Sequence, residues 1–488
     1  MTFTEGNFWC LTAVTFFFWR LCRGNHRLTV ALFLSASLVF YGFHHWRLVP
    51  LLLAYCVVDW AAACGMARGR RPRLYLTLGV TFNLALLAYW KYTPLLLRTL
   101  ADGCRWLGLS TAMEAPQDWS IPFGISFYAF TGIAYLVDVY RRTTPYEPNF
   151  FRYALSAIFF PHLVAGPILR PDEFLTRLRP DTMPDRPEAP LEAVSLMARG
   201  LFKKLVLADR IALAVDPFFA HVADPTTAGV WSLPYVVLYA WQIYFDFSGY
   251  TDIARGLGLL FGYRWPDNFN APYLAASVQE FWRRWHMTLS RFLRDYLYIP
   301  LGGNRRGHGR TYLNLMLTML LGGLWHGASW SFVLWGGLHG VFLTINHWWG
   351  EHGPGKRLRN STGIGQMIYR LTGVATTFLC VCLAWCFFRL TILTDALTCV
   401  AKWFVFDADK MLVGGAADAS LWVLLGSYAL AAALAGPWAG RLAAAVAASQ
   451  LRSALVRGSA WGFNVGLVLL TLLLAPVGQR PPFIYFQF

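Results

Sequence analysis

The residue best placed for chemistry is a histidine in the middle of a long uncharged run. Residues 311–350 contain no Asp, Glu, Lys or Arg, and His326 lies near their centre. A neutral imidazole, with an ordinary pKa of about 6.5, can accept a proton from an attacking hydroxyl group. Because a charged group at membrane depth is costly, such a side chain usually faces a protein interior or an aqueous cavity. We therefore interpret His326 as a candidate functional residue that has the chemistry of a general base, with a packing histidine as the alternative.

The same run carries two more histidines and a set of glycines. His347 stands beside Trp348 and Trp349, an aromatic pair typical of a membrane interface, so we interpret it as structural. For His339 we also favour a structural role. Small residues let helix backbones or a substrate approach closely. The glycines concerned are Gly322, Gly323, Gly327, Gly336, Gly337 and Gly340.

A second chemical segment, residues 262–310, is rich in charged and aromatic residues and contains His286. Helical spacing places Trp282, Trp285 and Leu289 on one face, which predicts a helix lying in the interface or dipping in from the cytoplasm. Its guanidinium groups could bind phosphates, although ordinary anchoring by positive charge on the cytoplasmic side is the alternative. The predicted contacts of a phosphate-bearing cofactor are Arg283, Arg284, Arg291, Trp285 and Asn304. Residues 302–304 predict a turn, because the context of a phosphate loop is missing.

Other polar residues are weaker site candidates. His162 borders a proline- and glycine-broken stretch, residues 153–169, which predicts a re-entrant element. Asp246 and Asp252 stand near a membrane boundary, where we expect them to anchor arginines, with a catalytic role as the alternative. Tyr485 lies in an aromatic tail after two prolines; the tail either caps a groove or delivers a phenol to a site.

Composition defines the class of protein. The chain of 488 residues is 56% hydrophobic and only 14% charged, whereas soluble domains average about 25% charged residues. This predicts an all-α polytopic membrane protein. The net charge of +16 does not indicate nucleic-acid binding, because the basic residues do not interleave with exposed aromatics. It instead favours basic cytoplasmic loops that attract anionic membrane lipid. The nine cysteines lack metal-ligand spacing, so we predict no metal site.

Hydropathy predicts many membrane segments. Residues 191–222 are too charged for a lipid-exposed span and predict an interfacial helix. Arginines follow the first and third predicted spans, which places those connections in the cytoplasm and the N-terminus outside it. The predicted spans are residues 8–22, 28–43, 48–64, 74–97, 121–140, 231–247, two passes within 311–350, and 371–391, 419–436 and 461–476.

Several motifs together carry a family resemblance. They are Pro161–Pro167, Tyr244–Tyr250, Asn268–Gly303 with its Phe-Trp-Arg-Arg-Trp-His core, Leu324–Gly327, and the terminal Phe-Ile-Tyr-Phe-Gln-Phe. The chain resembles the membrane-bound O-acyltransferase family, and in particular the bacterial branch that includes the membrane component of alginate O-acetylation. The combination is specific, although no single motif is.

The resemblance implies one integral-membrane domain, residues 1–488, with a helical rim around a central transmembrane tunnel and with re-entrant and interfacial helices. Residues 1–120 would form N-terminal spans, 121–350 the catalytic core, and 351–488 the C-terminal spans and tail. His326 matches the family's catalytic histidine, and His286 matches its second polar position.

The resemblance also implies a function in a bacterial inner membrane. An acetyl group would pass from cytoplasmic acetyl-coenzyme A to an extracytoplasmic polysaccharide such as alginate, with a periplasmic SGNH-type acetyltransferase as partner. The tail resembles the tail motif of the teichoic acid D-alanylation system, in which a tyrosine is a proposed acyl carrier. This suggests Tyr485 as carrier.

Other functions stay open from the sequence. Cellulose, another exopolysaccharide or peptidoglycan are also compatible acceptors. A transporter of polysaccharide or lipid-linked sugar would use His326 in a proton relay, although no internal repeat supports that class. A structural scaffold for a secretion complex is the third possibility.

Overall fold

All regular elements of the described chain are helices. The computed structural model describes residues 1–69, 71–109, 121–164, 166–352, 363–405, 407, 422, 425–426, 450–476 and 483–484. The first nine α-helices are α1 (Gly6–Leu21), α2 (His26–His45), α3 (Val49–Arg68), α4 (Pro72–Leu87), α5 (Thr93–Trp106), α6 (Ile125–Arg141), α7 (Phe150–Ile158), α8 (Pro171–Phe174) and α9 (Pro190–Phe202).

The remaining α-helices supply most of the residues with predicted chemistry. They are α10 (Asp209–Ala220), α11 (Ser232–Leu260), α12 (Val278–Arg284), α13 (Met287–Leu293), α14 (His308–His326), α15 (Trp330–His352), α16 (Ile364–Arg389), α17 (Leu393–Ala401) and α18 (Gln450–Leu474). Within the described residues, three π-helical segments interrupt the α-helices, at Ala88–Tyr92, Lys203–Ala208 and Arg294–Tyr298.

The chain forms two compact units, each made from two segments. The first unit contains residues 1–197 and 250–266, and the second contains residues 198–249 and 267–488. Phenylalanine rings form much of the first core: the Phe33 centroid lies 5.0 Å from that of Phe159 and 5.2 Å from that of Phe261. Burial of such large apolar rings is a major favourable contribution to folding.

The first unit also buries a carboxyl group that the sequence patterns do not single out. Asp59 on α3 is fully buried. It accepts hydrogen bonds from Asn83 Nδ2 at 2.7 Å and from the Tyr153 hydroxyl at 3.3 Å. These bonds join α3 to α4 and α7. A buried polar group without partners costs about 1–3 kcal/mol, so this cluster fixes how the helices pack.

The observed helices match several predicted spans and alter others. α1, α2 and α3 lie within a few residues of their predictions. The predicted span 74–97 is divided by the π-helical segment between α4 and α5. α6 begins at Ile125 rather than at residue 121, because Gly124 adopts a left-handed conformation with φ of 73°. The predicted span 419–436 lies almost entirely outside the described residues.

Within the described residues, two helical stretches are long and apolar enough to cross a membrane. They are His26–Arg68, which joins α2 and α3 through a 3₁₀ turn, and Ile364–Arg389, which is α16. Trp461–Leu474 in α18 is a shorter apolar helix. The run that predicts two passes, residues 311–350, forms α14 and α15. Glycine, histidine and tryptophan lower the hydropathy of both.

Candidate functional site

His326 is the last residue of α14 and is buried in the second unit, with 6% of its surface exposed. Aromatic rings surround its imidazole. The centroids of Trp325, Trp335 and Phe388 lie 4.8, 4.9 and 5.2 Å from that of the imidazole. Among the described residues, these rings bury the imidazole and restrict its orientation.

Close packing of α14 against α15 holds this histidine in place. A Cβ atom on Gly336 would overlap the carbonyl oxygen of Met319, and one on Gly323 would lie 3.1 Å from the Gly336 Cα. A Cβ on Gly327, directly after His326, would overlap the ring of Phe332. The expected role of the glycines in close helix approach is therefore seen at these three positions.

His286 lies at a break that the helical pattern does not predict. Residues 282–289 do not form one helix: α12 ends at Arg284, and α13 begins at Met287. Trp285 is extended, and His286 is left-handed with φ of 42°. A non-glycine residue in this conformation costs about 1–2 kcal/mol and needs compensating contacts.

Asn268 supplies those contacts. Its side-chain oxygen accepts hydrogen bonds from the Thr288 backbone N–H at 3.1 Å and the Thr288 hydroxyl at 3.0 Å. His286 Nδ1 lies 3.2 Å from the same oxygen. Because the backbone N–H can only donate, the Asn268 atom must be the amide oxygen, and Nδ1 must carry a proton toward it. In the neutral ring, Nε2 then holds the lone pair.

One tryptophan lies beside both histidines. The Trp325 centroid is 4.8 Å from that of His326 and 6.3 Å from that of His286. His286 also meets Phe247 of α11 edge to face at 4.7 Å. The structure thus brings His326 and His286 into one aromatic cluster.

The two described residues of the aromatic tail, Phe483 and Ile484, lie beside the same cluster. The Phe483 centroid lies 5.8 Å from that of Phe247. The Ile484 backbone N–H donates to Asp246 Oδ2 at 2.7 Å. Phe483 and Ile484 are both buried. Tyr485, the predicted acyl carrier, lies outside the described residues.

Asp246 has a different ionic partner from the one expected. It pairs with a lysine rather than an arginine: Lys204 Nζ lies 2.8 Å from Asp246 Oδ1 and 2.8 Å from Asp209 Oδ1. All three side chains are buried. Lys204 stands on the π-helical segment Lys203–Ala208, a type of irregularity that is frequent at functional sites. Buried charges need such pairing.

A basic cavity of about 410 Å³ lies beside α12 and α13. Arg283, Arg291 and Arg294 line it. Trp282 also lines it, and its ring lies 5.9 Å from that of Trp335, which packs on His326. Two of the predicted cofactor contacts, Arg283 and Arg291, therefore share one cavity, and two tryptophan rings separate this cavity from His326.

The other three predicted cofactor contacts lie elsewhere among the described residues. Arg284 pairs with Glu280 at 2.6 Å. Trp285 is 1% exposed and packs between Phe269 and Trp385. Asn304 is exposed in the predicted turn, where Gly302 and Gly303 have positive φ. None of the three lines the basic cavity.

Two other buried histidines, His162 and His339, have packing environments. His162 is buried in the first unit, with its ring 5.4 Å from Trp265 and 5.5 Å from Phe174. His339 is fully buried, and its Nδ1 accepts a hydrogen bond from Trp282 Nε1 at 3.3 Å. His162 is thus not part of the cluster around His326, and His339 supports Trp282 at the cavity wall.

Family comparison agrees with the motifs. The sequence model of MBOAT, the membrane-bound O-acyltransferase family, matches residues 6–386, which include both clustered histidines. The chain belongs to the membrane-bound O-acyltransferase family. Residues 483–488 lie beyond the matched range.

Curated relatives share this family character. A probable alginate O-acetylase AlgI of Azotobacter vinelandii is 43% identical over 319 residues, covering 64% of this chain and 62% of the relative. The protein of the same name from Pseudomonas putida is 40% identical over 368 residues, covering 73% and 71%. A peptidoglycan O-acetyltransferase of Helicobacter pylori is 35% identical over 395 residues, covering 74% and 71%. The match thus spans less than two thirds of the A. vinelandii relative.

Sequence reasoning missed two residues that organise this site. Asn268 opens a recognised motif, but no spacing rule links it to a histidine 18 positions later. Lys204 lies in an amphipathic segment whose charges indicated an interfacial helix. The signal available in the sequence was two adjacent lysines, Lys203 and Lys204, between apolar residues. If such a lysine is buried with the apolar residues around it, it needs a partner of opposite charge.

Proposed function

We propose that this protein is a membrane O-acetyltransferase that uses acetyl-coenzyme A and passes the acetyl group toward an extracytoplasmic polysaccharide. The observation that carries the proposal is the pairing of His326 and His286 around Trp325 in a chain of the O-acyltransferase family. Relatives named as alginate O-acetylase and peptidoglycan O-acetyltransferase support an acetyl group and a polysaccharide acceptor.

The proposed chemistry is attack of a hydroxyl oxygen on a thioester carbonyl. His326 takes the hydroxyl proton as the new C–O bond forms. When the C–S bond breaks, the same proton passes to the coenzyme A sulfur, so the thiol leaves and the ester remains. His286, whose Nδ1 is held by Asn268, positions a donor or stabilises the developing charge.

The basic cavity supports the choice of donor. Coenzyme A carries several phosphate groups, and guanidinium groups bind phosphate in a bidentate manner. Arg283, Arg291 and Arg294 would hold these phosphates in the cavity of about 410 Å³. The rings of Trp282 and Trp335 separate this cavity from His326, so the pantetheine arm would reach the histidine when these two rings move aside.

The tail supports a covalent carrier. Tyr485 follows Ile484, whose N–H is bound by Asp246. We infer that the Tyr485 hydroxyl is the first acceptor and that its ester then passes to a periplasmic SGNH-type transferase, which acetylates the polymer. In this arrangement a tunnel through the protein carries the acetyl group, and coenzyme A never crosses the bacterial inner membrane.

Transfer of labelled acetyl groups tests the function. We expect His326→Ala to reduce release of coenzyme A from acetyl-coenzyme A by roughly 10²–10⁴-fold, the usual contribution of a general base. His221→Ala removes an exposed histidine directly after α10 and serves as the matched control. Full turnover by a correctly folded His326→Ala variant would refute the mechanism.

A further inference from the structure

A second histidine cluster lies at the opposite end of helix α14. His308 is the first residue of α14, whereas His326 is the last. The separation of 18 residue positions corresponds to about 27 Å along the helix axis. Glu351 and His347 stand in the last two turns of α15, so the cluster joins the open ends of the α14–α15 hairpin.

The three side chains converge on one point. Glu351 Oε2 lies 2.9 Å from His308 Nδ1 and 3.3 Å from His347 Nδ1. All three potential ligand atoms lie within 4.8 Å of one another. His347 and Glu351 are four residues apart on one helix, so they share a face. The ring of Tyr312, one turn after His308, packs on His347 at 5.7 Å.

These distances match the dimensions of a metal site. With metal–ligand distances of about 2.0–2.2 Å, the ligand atoms of a tetrahedral zinc site lie roughly 3.4 Å apart. The two separations that involve Glu351 are near that value. Small side-chain rotations would shorten the third separation, between the two imidazoles, to the same length. Two imidazoles and one carboxylate form a ligand set that zinc uses when a fourth position is left to water.

We propose that His308, His347 and Glu351 bind a divalent transition-metal ion, and that Zn²⁺ suits the donor set best. Imidazole nitrogen favours zinc and its neighbours over magnesium or calcium, which prefer oxygen ligands. The side chains are 60%, 25% and 40% exposed, so an ion reaches them without opening the fold.

The position of the ion gives it a structural role. It would link the first turn of α14 to the last turns of α15 and close the hairpin at the end away from His326. Closing a loop of this length removes conformational freedom from the unfolded chain. Because the close glycine contacts already fix the hairpin nearer its middle, the ion would increase stability without taking part in acyl transfer.

The test uses the full-length protein in detergent after chelation. We expect one Zn²⁺ per chain, measured by mass spectrometry of the metal, and a higher unfolding temperature on adding Zn²⁺. His347→Gln and Glu351→Gln should each weaken binding by at least the roughly 10- to 100-fold that loss of an outer-shell partner costs. His221→Gln, which removes an exposed histidine elsewhere, should bind normally.

A second measurement separates loss of the site from misfolding. Co²⁺ bound by the wild type should give the intense visible absorption of tetrahedral coordination, and Glu351→Gln should lose it while keeping wild-type helix content. Equal zinc binding in wild type and both variants would overturn the proposal, as would no zinc bound by the wild type. Neither outcome would affect the proposed acetyl transfer, because His326 does not depend on the ion.

Discussion

At the residue scale, Asn268 decides which nitrogen of His286 carries the proton. Its amide oxygen accepts from the Thr288 N–H and so leaves only a donor role for His286 Nδ1. The same oxygen stabilises the left-handed backbone at His286. One asparagine thus sets the backbone conformation, ring orientation and tautomer of the second histidine, as outer partners do for catalytic and metal-bound histidines.

Replacing Asn268 by alanine tests this assignment. We expect Asn268→Ala to lower the free energy of unfolding by about 1–3 kcal/mol, because buried donors lose their acceptor. Acetyl transfer should fall by more than the unfolded fraction explains, since His286 loses its orientation. Thermal unfolding and acetyl transfer would be measured together. Asn304→Ala removes an exposed asparagine from the same segment and should change neither.

The sequence alone singled out the two histidines that the structure brings into one aromatic cluster, but not how they are held. His326 stands out because it is an ionisable residue in a run without Asp, Glu, Lys or Arg. Such a run can be recognised from the residue types alone. The break at Trp285–His286 depends on a hydrogen bond to a residue 18 positions away. Helical periodicity carries no information about such long-range compensation, so the interpretation of residues 282–289 as one helix was wrong.

At the element scale, glycines set the distance between α14 and α15. At Gly336 even a methyl group would overlap the Met319 carbonyl oxygen, whereas Gly350 on the same helix has open space around its Cα. Backbone cannot move aside as a side chain can. The crossing that holds His326 therefore depends on particular glycines rather than on the number of glycines in the run.

Matched alanine substitutions test this crossing. Gly336→Ala should lower the unfolding temperature and reduce acetyl transfer, because the helices must separate. Gly350→Ala should be neutral or stabilising, since alanine is favoured over glycine in a helix by about 1 kcal/mol. Unfolding temperature and activity would be compared in the same detergent. Equal behaviour of the two variants would contradict a role for close packing at Gly336.

The tail is the second element whose position depends on one contact. Asp246→Ala and Asp209→Ala each remove one carboxylate from Lys204, but only Asp246 also binds the Ile484 N–H. We expect both variants to lose stability. Only Asp246→Ala should accelerate hydrogen exchange in the terminal peptide and impair transfer to the acceptor. Similar exchange in the two variants would show that Asp246 does not hold the tail.

At the scale of the whole molecule, composition predicted the fold class and the motifs predicted the family. Low charge and long apolar runs were enough to predict an all-helical membrane protein. They indicate a lipid environment, in which a helix satisfies its own backbone hydrogen bonds. The number of membrane-spanning helices is harder to predict from the sequence. Helices such as α14 and α15 carry glycine, histidine and tryptophan, and their burial comes from neighbouring helices rather than from their own hydropathy. The division into two units likewise depends on tertiary contacts that no local pattern contains.

The proposed function requires the two substrates to meet His326 from opposite sides of the membrane, and this can be tested with native inverted vesicles. Such vesicles expose their cytoplasmic face, and acetyl-coenzyme A does not cross the bilayer. Labelled acetyl-coenzyme A added outside should therefore yield O-acetyl ester inside, resistant to an added esterase until detergent opens the vesicles. Vesicles containing His326→Ala should accumulate no label. Ester that the esterase removes without detergent would mean that transfer ends on the donor side, and the transmembrane route would be wrong even if the chemistry at His326 were right.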